Sequence, residues 1–275
     1  MAIDEGAYEP GAEDAPPQAW RVYFAAPEAR DRAATALADA CGSAGLSVRA
    51  IEVEDAGWVE RSQAMLTAIV VDRLVVAPPW DVPSSADALV VVIRPSMGFG
   101  TGHHASTRLC LRALQRLDLA GRTVIDVGTG SGVLAIAAVR LGAAPAIAID
   151  CDPDALANAR ENVDLNRVGD RVALYAADLA EIDRLQFALA DVVLANLTAA
   201  MLERHADALG RLLAPGGTLI VSGVMRDQVS LVAAAFQQDP ARRLPVVETD
   251  HEDDWVALTL RREGTSDEER VTRNE

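Results

Sequence analysis

Between Thr123 and Asp152 the apolar positions fall into three blocks separated by small residues. Thr123–Val127 is a short β-branched run, Val133–Leu141 is apolar at helix length, and Pro145–Ile149 is apolar up to Asp150. Gly128, Gly130 and Gly132 separate the first two blocks. The pattern predicts strand, glycine turn, helix, strand, with Gly142 closing the helix in a left-handed conformation. Strands that stay apolar without alternating suit a parallel sheet covered on both faces.

The same two periods recur downstream. Pro153–Asn166 has helical spacing, with Asp152 as a cap ahead of a first-turn proline. Strands are predicted at Val172–Tyr175, Ala190–Ala195 and Thr218–Val224, and helices at Met201–Leu213 and Gln228–Gln237. Leu244–Thr249 and Trp255–Leu260 flank an acidic turn and read as a closing antiparallel pair. The fold class that follows is α/β, a doubly wound seven-stranded sheet with its last strand antiparallel.

Upstream the order is different. Trp20–Ala25 reads as a strand, Glu28–Ala44 as a helix ended by Gly45, Leu46–Val53 as a strand, Trp58–Leu66 as a short helix or loop, and Ala68–Val76 as one or two strands. This predicts a small N-terminal α+β domain over 20–77. Pro78, Pro79 and Pro83 then mark 78–88 as a linker. Residues 89–262 form the large domain, opened by the apolar strand Leu89–Ile93, and 1–19 and 263–275 read as a disordered acidic tail and a charged tail. Ser106 or Thr107 caps or starts a helix running to about Leu117.

Half of the 275 residues are hydrophobic, enough for a large core, and no apolar run approaches the roughly 20 residues that span a bilayer. Met1–Pro17 has no basic start and no apolar centre, so it does not read as a secretory signal, and cytoplasm is the expected compartment. Net charge is −16, which argues against naked nucleic acid and is compatible with a basic protein or a cationic small molecule as partner; no membrane partner is expected. All 25 basic residues are arginine, so Schiff-base and Walker-type lysine chemistry is excluded. The three cysteines, Cys41, Cys110 and Cys151, have no metal-ligand spacing.

The glycine spacing bears on the ligand. A dinucleotide turn wants G-x-G-x-x-G and would need glycine where Val133 stands. Asp126-x-Gly128-x-Gly130-x-Gly132 allows close backbone approach without a pyrophosphate, which suits the amino-acid end of S-adenosylmethionine. Asp150 follows Gly128 by 22 residues and ends the second strand, where a carboxylate accepts from ribose hydroxyls. Asp178 reads equally as a contact to the adenine amine or as a helix cap. Asn196 ends an apolar strand, and its carbonyl is a candidate acceptor for a target amine, or it is simply a turn residue. Adjacent His103 and His104 diverge and have no third ligand nearby, so no metal is expected; either contacts substrate or shapes the loop, and His104 is a candidate proton acceptor.

Trp58-Val-Glu-Arg-Ser62, Pro78-Pro-Trp80, Phe99-Gly-Thr-Gly-His-His-Ala-Ser-Thr107, the glycine turn and Ala195-Asn-Leu197 occur in the order seen in the PrmA family, the methyltransferases of ribosomal protein L-eleven. The chain resembles that family from about Trp58 to Leu260. The resemblance implies a class I S-adenosylmethionine-dependent methyltransferase acting on amines of a ribosomal protein. It implies cofactor contacts at Thr107, Gly128, Asp150 and Asn196 and an N-terminal recognition domain; Phe99, Gly100, Thr101, Gly130, Gly132 and Asp178 are further candidate cofactor contacts, and Asn196 is the candidate catalytic residue. Two departures stand out: the family often has Thr-His-Pro-Thr-Thr where this chain has His103–Thr107, and the N-terminal domain is short. Other acceptors, protein or small molecule, share every cofactor residue. A non-catalytic S-adenosylmethionine-binding protein is the alternative from another class.

Overall fold

The structure, a computed structural model, describes residues 3–5, 20–22, 27–41, 66–84, 89–96, 100–184, 187–238 and 243–264. Two compact units divide at Trp58/Val59. In the first, β1 (Ile3–Glu5) pairs antiparallel with β2 (Trp20–Val22), and α1 spans Pro27–Cys41. β1 falls inside the stretch read as a disordered tail; three residues, two of them acidic, carry no strand period of their own, and the pairing comes from β2. The expected Leu46–Val53 strand and the Trp58–Ser62 motif lie outside the described residues.

The second unit contains a three-stranded sheet and a seven-stranded sheet. β3 (Ile69–Val71) and β4 (Leu74–Ala77) form a hairpin through Asp72, whose φ is 51°. β5 (Leu89–Val92) then pairs parallel with β4. The sequence reading placed a domain boundary in 78–88, but these residues connect two parallel strands of one sheet. A parallel pair cannot close through a tight turn and needs a connection of about a dozen residues. The start of that crossover is tied down: Trp80 Nε1 donates to the Leu66 carbonyl at 3.1 Å and Ala68 N donates to Asp81 Oδ2 at 2.7 Å. Prolines mark irregular backbone, and irregular backbone is not always a boundary.

The large sheet has the order β11-β12-β10-β9-β6-β7-β8. Its strands are β6 (Val124–Val127), β7 (Ala146–Asp150), β8 (Val172–Ala176), β9 (Ala190–Asn196), β10 (Leu213–Met225), β11 (Val246–Glu252) and β12 (Trp255–Arg261). β12 alone runs against its neighbours, as expected for a last antiparallel strand. Helices α2 (Ala105–Gln115), α3 (Val133–Arg140), α4 (Pro153–Leu165), α5 (Ala199–Arg204), α6 (Ala206–Arg211) and α7 (Val229–Ala235) accompany it. The helix expected over Met201–Leu213 is split at His205.

The central strand β6 is buried along its whole length and α3 is buried at Val133–Val139, which is why both blocks read as continuously apolar. One core cluster joins α2 and α3 to the three-stranded sheet, and a second joins α5 to α7 to the strands around β9 and β10. β6 has β7 on one side and β9 on the other, so successive connections leave it in opposite directions. That reversal is the topological switch point, where open α/β sheets hold their ligands.

Candidate functional site

Register levels three predicted residues on one sheet edge. Val127 of β6 pairs with Ile149 of β7 and with Ala195 of β9. Gly128, Asp150 and Asn196 each follow by one residue, so they stand in a row across three adjacent strand ends. Asp150 and Asn196 flank the glycine turn, about 10 Å apart at one strand spacing each side.

The turn is a built cradle. Gly128, Gly130 and Gly132 have φ of 69°, 55° and 81°, the left-handed region that disfavours side chains. A Cβ on Gly128 would lie 2.4 Å from Leu197 Cδ2. Gly128 and Thr129 donate their N–H groups to the Ile149 carbonyl at 2.8 and 3.0 Å. Behind the turn, Asp126 is 1% exposed and its Oδ2 accepts from Thr129 Oγ1 at 2.6 Å and Ala135 N at 3.2 Å. Burial pushes its carboxyl up to about 6, the Thr129 and Ala135 bonds oppose the rise, and the Asp150 charge adds to it.

Asp150 is half-buried, accepting from Gly130 N on Oδ2 at 2.9 Å and from Asp152 N on Oδ1 at 3.0 Å. Each carboxylate oxygen has two acceptor sites, so one remains on each. Those two sites fit the paired O–H donors of a ribose diol. Asp178 is exposed, and its Oδ1 accepts from Ala180 N at 2.8 Å, capping a 3-10 turn over Leu179–Arg184. The cap reading describes that oxygen.

Thr107 and Asn196 are 89 positions apart and meet: Asn196 Nδ2 donates to Thr107 Oγ1 at 3.3 Å. The contact turns the amide so that Oδ1 is left as an acceptor. Beside it β10 carries a bulge between Val221 and Val224. Gly223 sits there with φ of 83°, and a Cβ on it would lie 2.2 Å from the Leu197 carbonyl oxygen. The strand lies close on Asn196 and Leu197, with Leu197 N donating to the Ser222 carbonyl at 3.1 Å, and only a glycine fits at the bulge.

The loop ahead of α2 is held in several places. Gly100 takes φ of 108° and its carbonyl accepts from Ser131 Oγ at 2.7 Å. Gly102 has φ of 86° and a Cβ there would meet Val76 Cγ1 at 2.9 Å, so the loop lies close on β4. The Thr101 carbonyl faces His103 Nδ1 at 3.3 Å. Phe99 lies outside the described residues.

The two histidines do diverge. His103 Nε2 donates to the Thr67 carbonyl at 3.0 Å. His104, not Ser106 or Thr107, caps α2: its Nδ1 accepts from Ser106 N at 3.3 Å and lies 2.7 Å from Ser106 Oγ. Helix-cap rules emphasise oxygen side chains, and an imidazole nitrogen two residues upstream serves the same donor. With Nδ1 accepting, the neutral ring carries its proton on Nε2, and the proton-acceptor reading of His104 is withdrawn. The His104 ring meets Trp255 edge-on with centroids 4.5 Å apart. Trp255 pairs with Met225 at the far side of the bulge, giving an aromatic and thioether rim beyond Asn196. Composition alone did not flag Trp255; the rim exists only because β10 and β12 pair in this register. Among the described residues, no three His, Cys, Asp or Glu side chains gather to hold a metal ion.

The family model described as Ribosomal protein L11 methyltransferase (PrmA) matches residues 4–263. A Ribosomal protein L11 methyltransferase of Serratia proteamaculans is 45% identical over 191 residues, covering 69% of this chain and 62% of that protein. One from Shewanella amazonensis is 38% identical over 209 residues, covering 76% and 68%. The crystal structure of ribosomal protein L11 methylase from Lactobacillus delbrueckii subsp. bulgaricus superimposes with a TM-score of 0.65 at 28% identity, covering 72% of this chain and all of that one. The match to the Serratia protein thus spans just over three fifths of its length. With a family match over nearly its whole length, and a glycine turn, a carboxylate and an asparagine level on one sheet edge, the chain belongs to the Ribosomal protein L11 methyltransferase (PrmA) family.

Proposed function

We propose that this chain is an S-adenosylmethionine-dependent protein N-methyltransferase whose acceptor is an amine, a lysine side chain or an N-terminus, of ribosomal protein L11. The observation that carries the reading is the level row of Gly128, Asp150 and Asn196 at the switch point, with Thr107 bonded to Asn196. The names of the relatives support the acceptor. Acceptor recognition is assigned to residues ahead of the glycine-turn half, the region read from sequence as 20–77. The proposed compartment is the cytoplasm; among the described residues no helix is long and apolar enough to cross a membrane.

S-adenosylmethionine supplies a methyl group activated by a sulfonium. The glycine turn would offer backbone to its amino-acid end, Asp150 would accept from the two ribose hydroxyls, and Asp178 would accept from the adenine amine on the carboxylate oxygen left by its cap. Asn196 Oδ1 would accept an N–H of the incoming amine and orient it for in-line displacement, in which the nitrogen–carbon bond forms as the methyl–sulfur bond breaks and the neutral thioether leaves; positioning would provide most of the acceleration. A lysine amine has a pKa near 10.4 in water and must arrive neutral. Loss of solvent beside the sulfonium charge lowers that pKa, and water takes the proton. The His104–Trp255 rim walls this approach with apolar surface.

Two measurements test the proposal. Calorimetry with S-adenosylhomocysteine should show one site per chain; no heat from folded protein refutes it. Incubation with labelled S-adenosylmethionine and purified L11 should add whole multiples of the labelled methyl group's mass, less the hydrogen it replaces, in intact mass spectra. Label appearing on a different ribosomal protein would keep the chemistry and reject the acceptor.

A further inference from the structure

Asn158 and Asn162 of helix α4 and Asn166 at its C-cap recur at four-residue intervals, on one face. β5 is bonded to β4 on one side only, so its other edge would leave backbone groups without partners. The asparagines serve that edge and its continuation. Val92 N donates to Asn166 Oδ1 at 2.9 Å and Asn166 Nδ2 donates to the Val92 carbonyl at 2.6 Å. That two-way exchange is what a residue of a neighbouring strand would make. Arg94 N donates to Asn162 Oδ1 at 2.8 Å, and Asn158 Nδ2 donates to the Arg94 carbonyl at 3.3 Å. Four helical residues rise about 6 Å and two strand residues about 6.6 Å, so the spacings match. The face of α4 stands in for a missing strand along the segment that leads into the Gly100–Gly102 loop.

Asn162 makes one bond that its two neighbours do not. Its Nδ2 donates to the carbonyl of Ser131, inside the glycine turn, at 2.9 Å. Ser131 Oγ in turn holds the Gly100 carbonyl. The loop is thereby referenced to the turn twice, at Arg94 and at Gly100, and both routes pass through Ser131. Asn162 is fully buried, so no water replaces either bond.

We propose that Asn162 is a positioning residue for the cofactor, setting the distance between the glycine turn and the Gly100–Gly102 loop. This rests on the methyltransferase reading above. In the full chain, Asn162→Ala should raise the Kd for S-adenosylhomocysteine about tenfold, the factor that one net hydrogen bond makes in an equilibrium constant. Without ligand, amide exchange should quicken at 100–102 and 128–132 together. Asn166→Ala also removes a buried amide from the ladder, so its Tm should fall comparably while its Kd stays within about twofold of wild type. Ser131→Ala, which cuts the Gly100 tie and the bond from Val133 N but keeps the Asn162 bond to the Ser131 carbonyl, should fall between. Equal Kd changes in the Asn162 and Asn166 variants, or none in either, overturn the inference.

If Asn162→Ala does not fold, Asn162→Asp decides the matter. It keeps the acceptor for Arg94 N but donates to Ser131 only when protonated, so its Kd should approach that of wild type as pH falls; a constant ratio to wild type overturns the inference. If wild type itself takes up no S-adenosylhomocysteine, the methyltransferase reading has failed. The positioning of turn against loop is then judged by the exchange comparison between Asn162→Ala and Asn166→Ala alone.

Discussion

Asp126 is a carboxylate folded under a turn, with Oδ2 doubly bonded and Oδ1 buried without a partner among the described residues. Its folded pKa of about 6 lies above the ordinary 3.8, so between those values the folded chain holds a proton that the unfolded chain has lost. Stability contributed by that proton is present below about pH 4 and falls as pH rises through 6, by roughly 3 kcal/mol. Asp126→Asn cannot ionise, so urea titrations from pH 4 to 7 should show this slope flattened. A variant with the wild-type slope would place the titration elsewhere. At Asn196 the expectation is a loss of rate. Asn196→Ala should cut methyl transfer about 100-fold or more, because orientation is lost. Its stability should drop by no more than about 1 kcal/mol, the worth of one half-buried hydrogen bond. Single-turnover rates and denaturant midpoints separate the two. Gly128, Asp150 and Asn196 could be picked out from sequence because each ends an apolar strand, and a strand end is a local signal. Ser131, Asn162 and Trp255 could not, because their roles depend on partners 31 positions away or more, or on the pairing of distant strands.

At the scale of elements, α2 and β11 face each other through charge. Arg108 and Arg112 of α2 and Arg116 at its C-cap recur every four residues, and Glu248, Asp250 and Glu252 every second residue on β11. Arg116 pairs with Glu248 at 2.7 Å and Asp250 at 2.8 Å, and Glu252 pairs with both Arg108 and Arg112. Arg108 also donates to the His103 carbonyl, so the ladder reaches the loop that precedes Thr107. The Arg108 hydrogen bond first, and the two arginine charges after it, hold the Glu252 carboxyl below the usual glutamate range. Its contribution is therefore complete above the unfolded pKa and lost as pH falls through the lower folded value. Glu252→Gln should cost about 1–2 kcal/mol at pH 7, since hydrogen bonds to charged groups exceed neutral ones. That cost should shrink in acid and in high salt; a salt-independent cost of the same size would mean packing rather than charge. The arginine spacing is visible in the sequence, and so is the acidic alternation. Their facing is not, because it takes β12 to carry β11 to the end of the sheet.

Over the whole molecule the net charge is −16, which under the proposed function would steer a basic acceptor protein. Association with L11 should slow steeply as salt is raised from about 50 to about 500 mM, with dissociation much less affected. Stopped-flow binding measures both rates; an association rate indifferent to salt would remove steering from the account. The order of apolar blocks by itself determined the seven-stranded α/β fold, because buried parallel strands and their crossover helices each have a period that survives in one dimension. It also determined the glycine turn and the acid beyond it, since a backbone forced into positive φ admits almost only glycine. Tertiary structure alone decided that 78–88 is a crossover within one sheet, that a histidine caps α2, and that asparagines on α4 replace a strand. Each of those rests on a hydrogen bond between segments far apart in the chain, and no local pattern encodes which distant backbone group a side chain will meet.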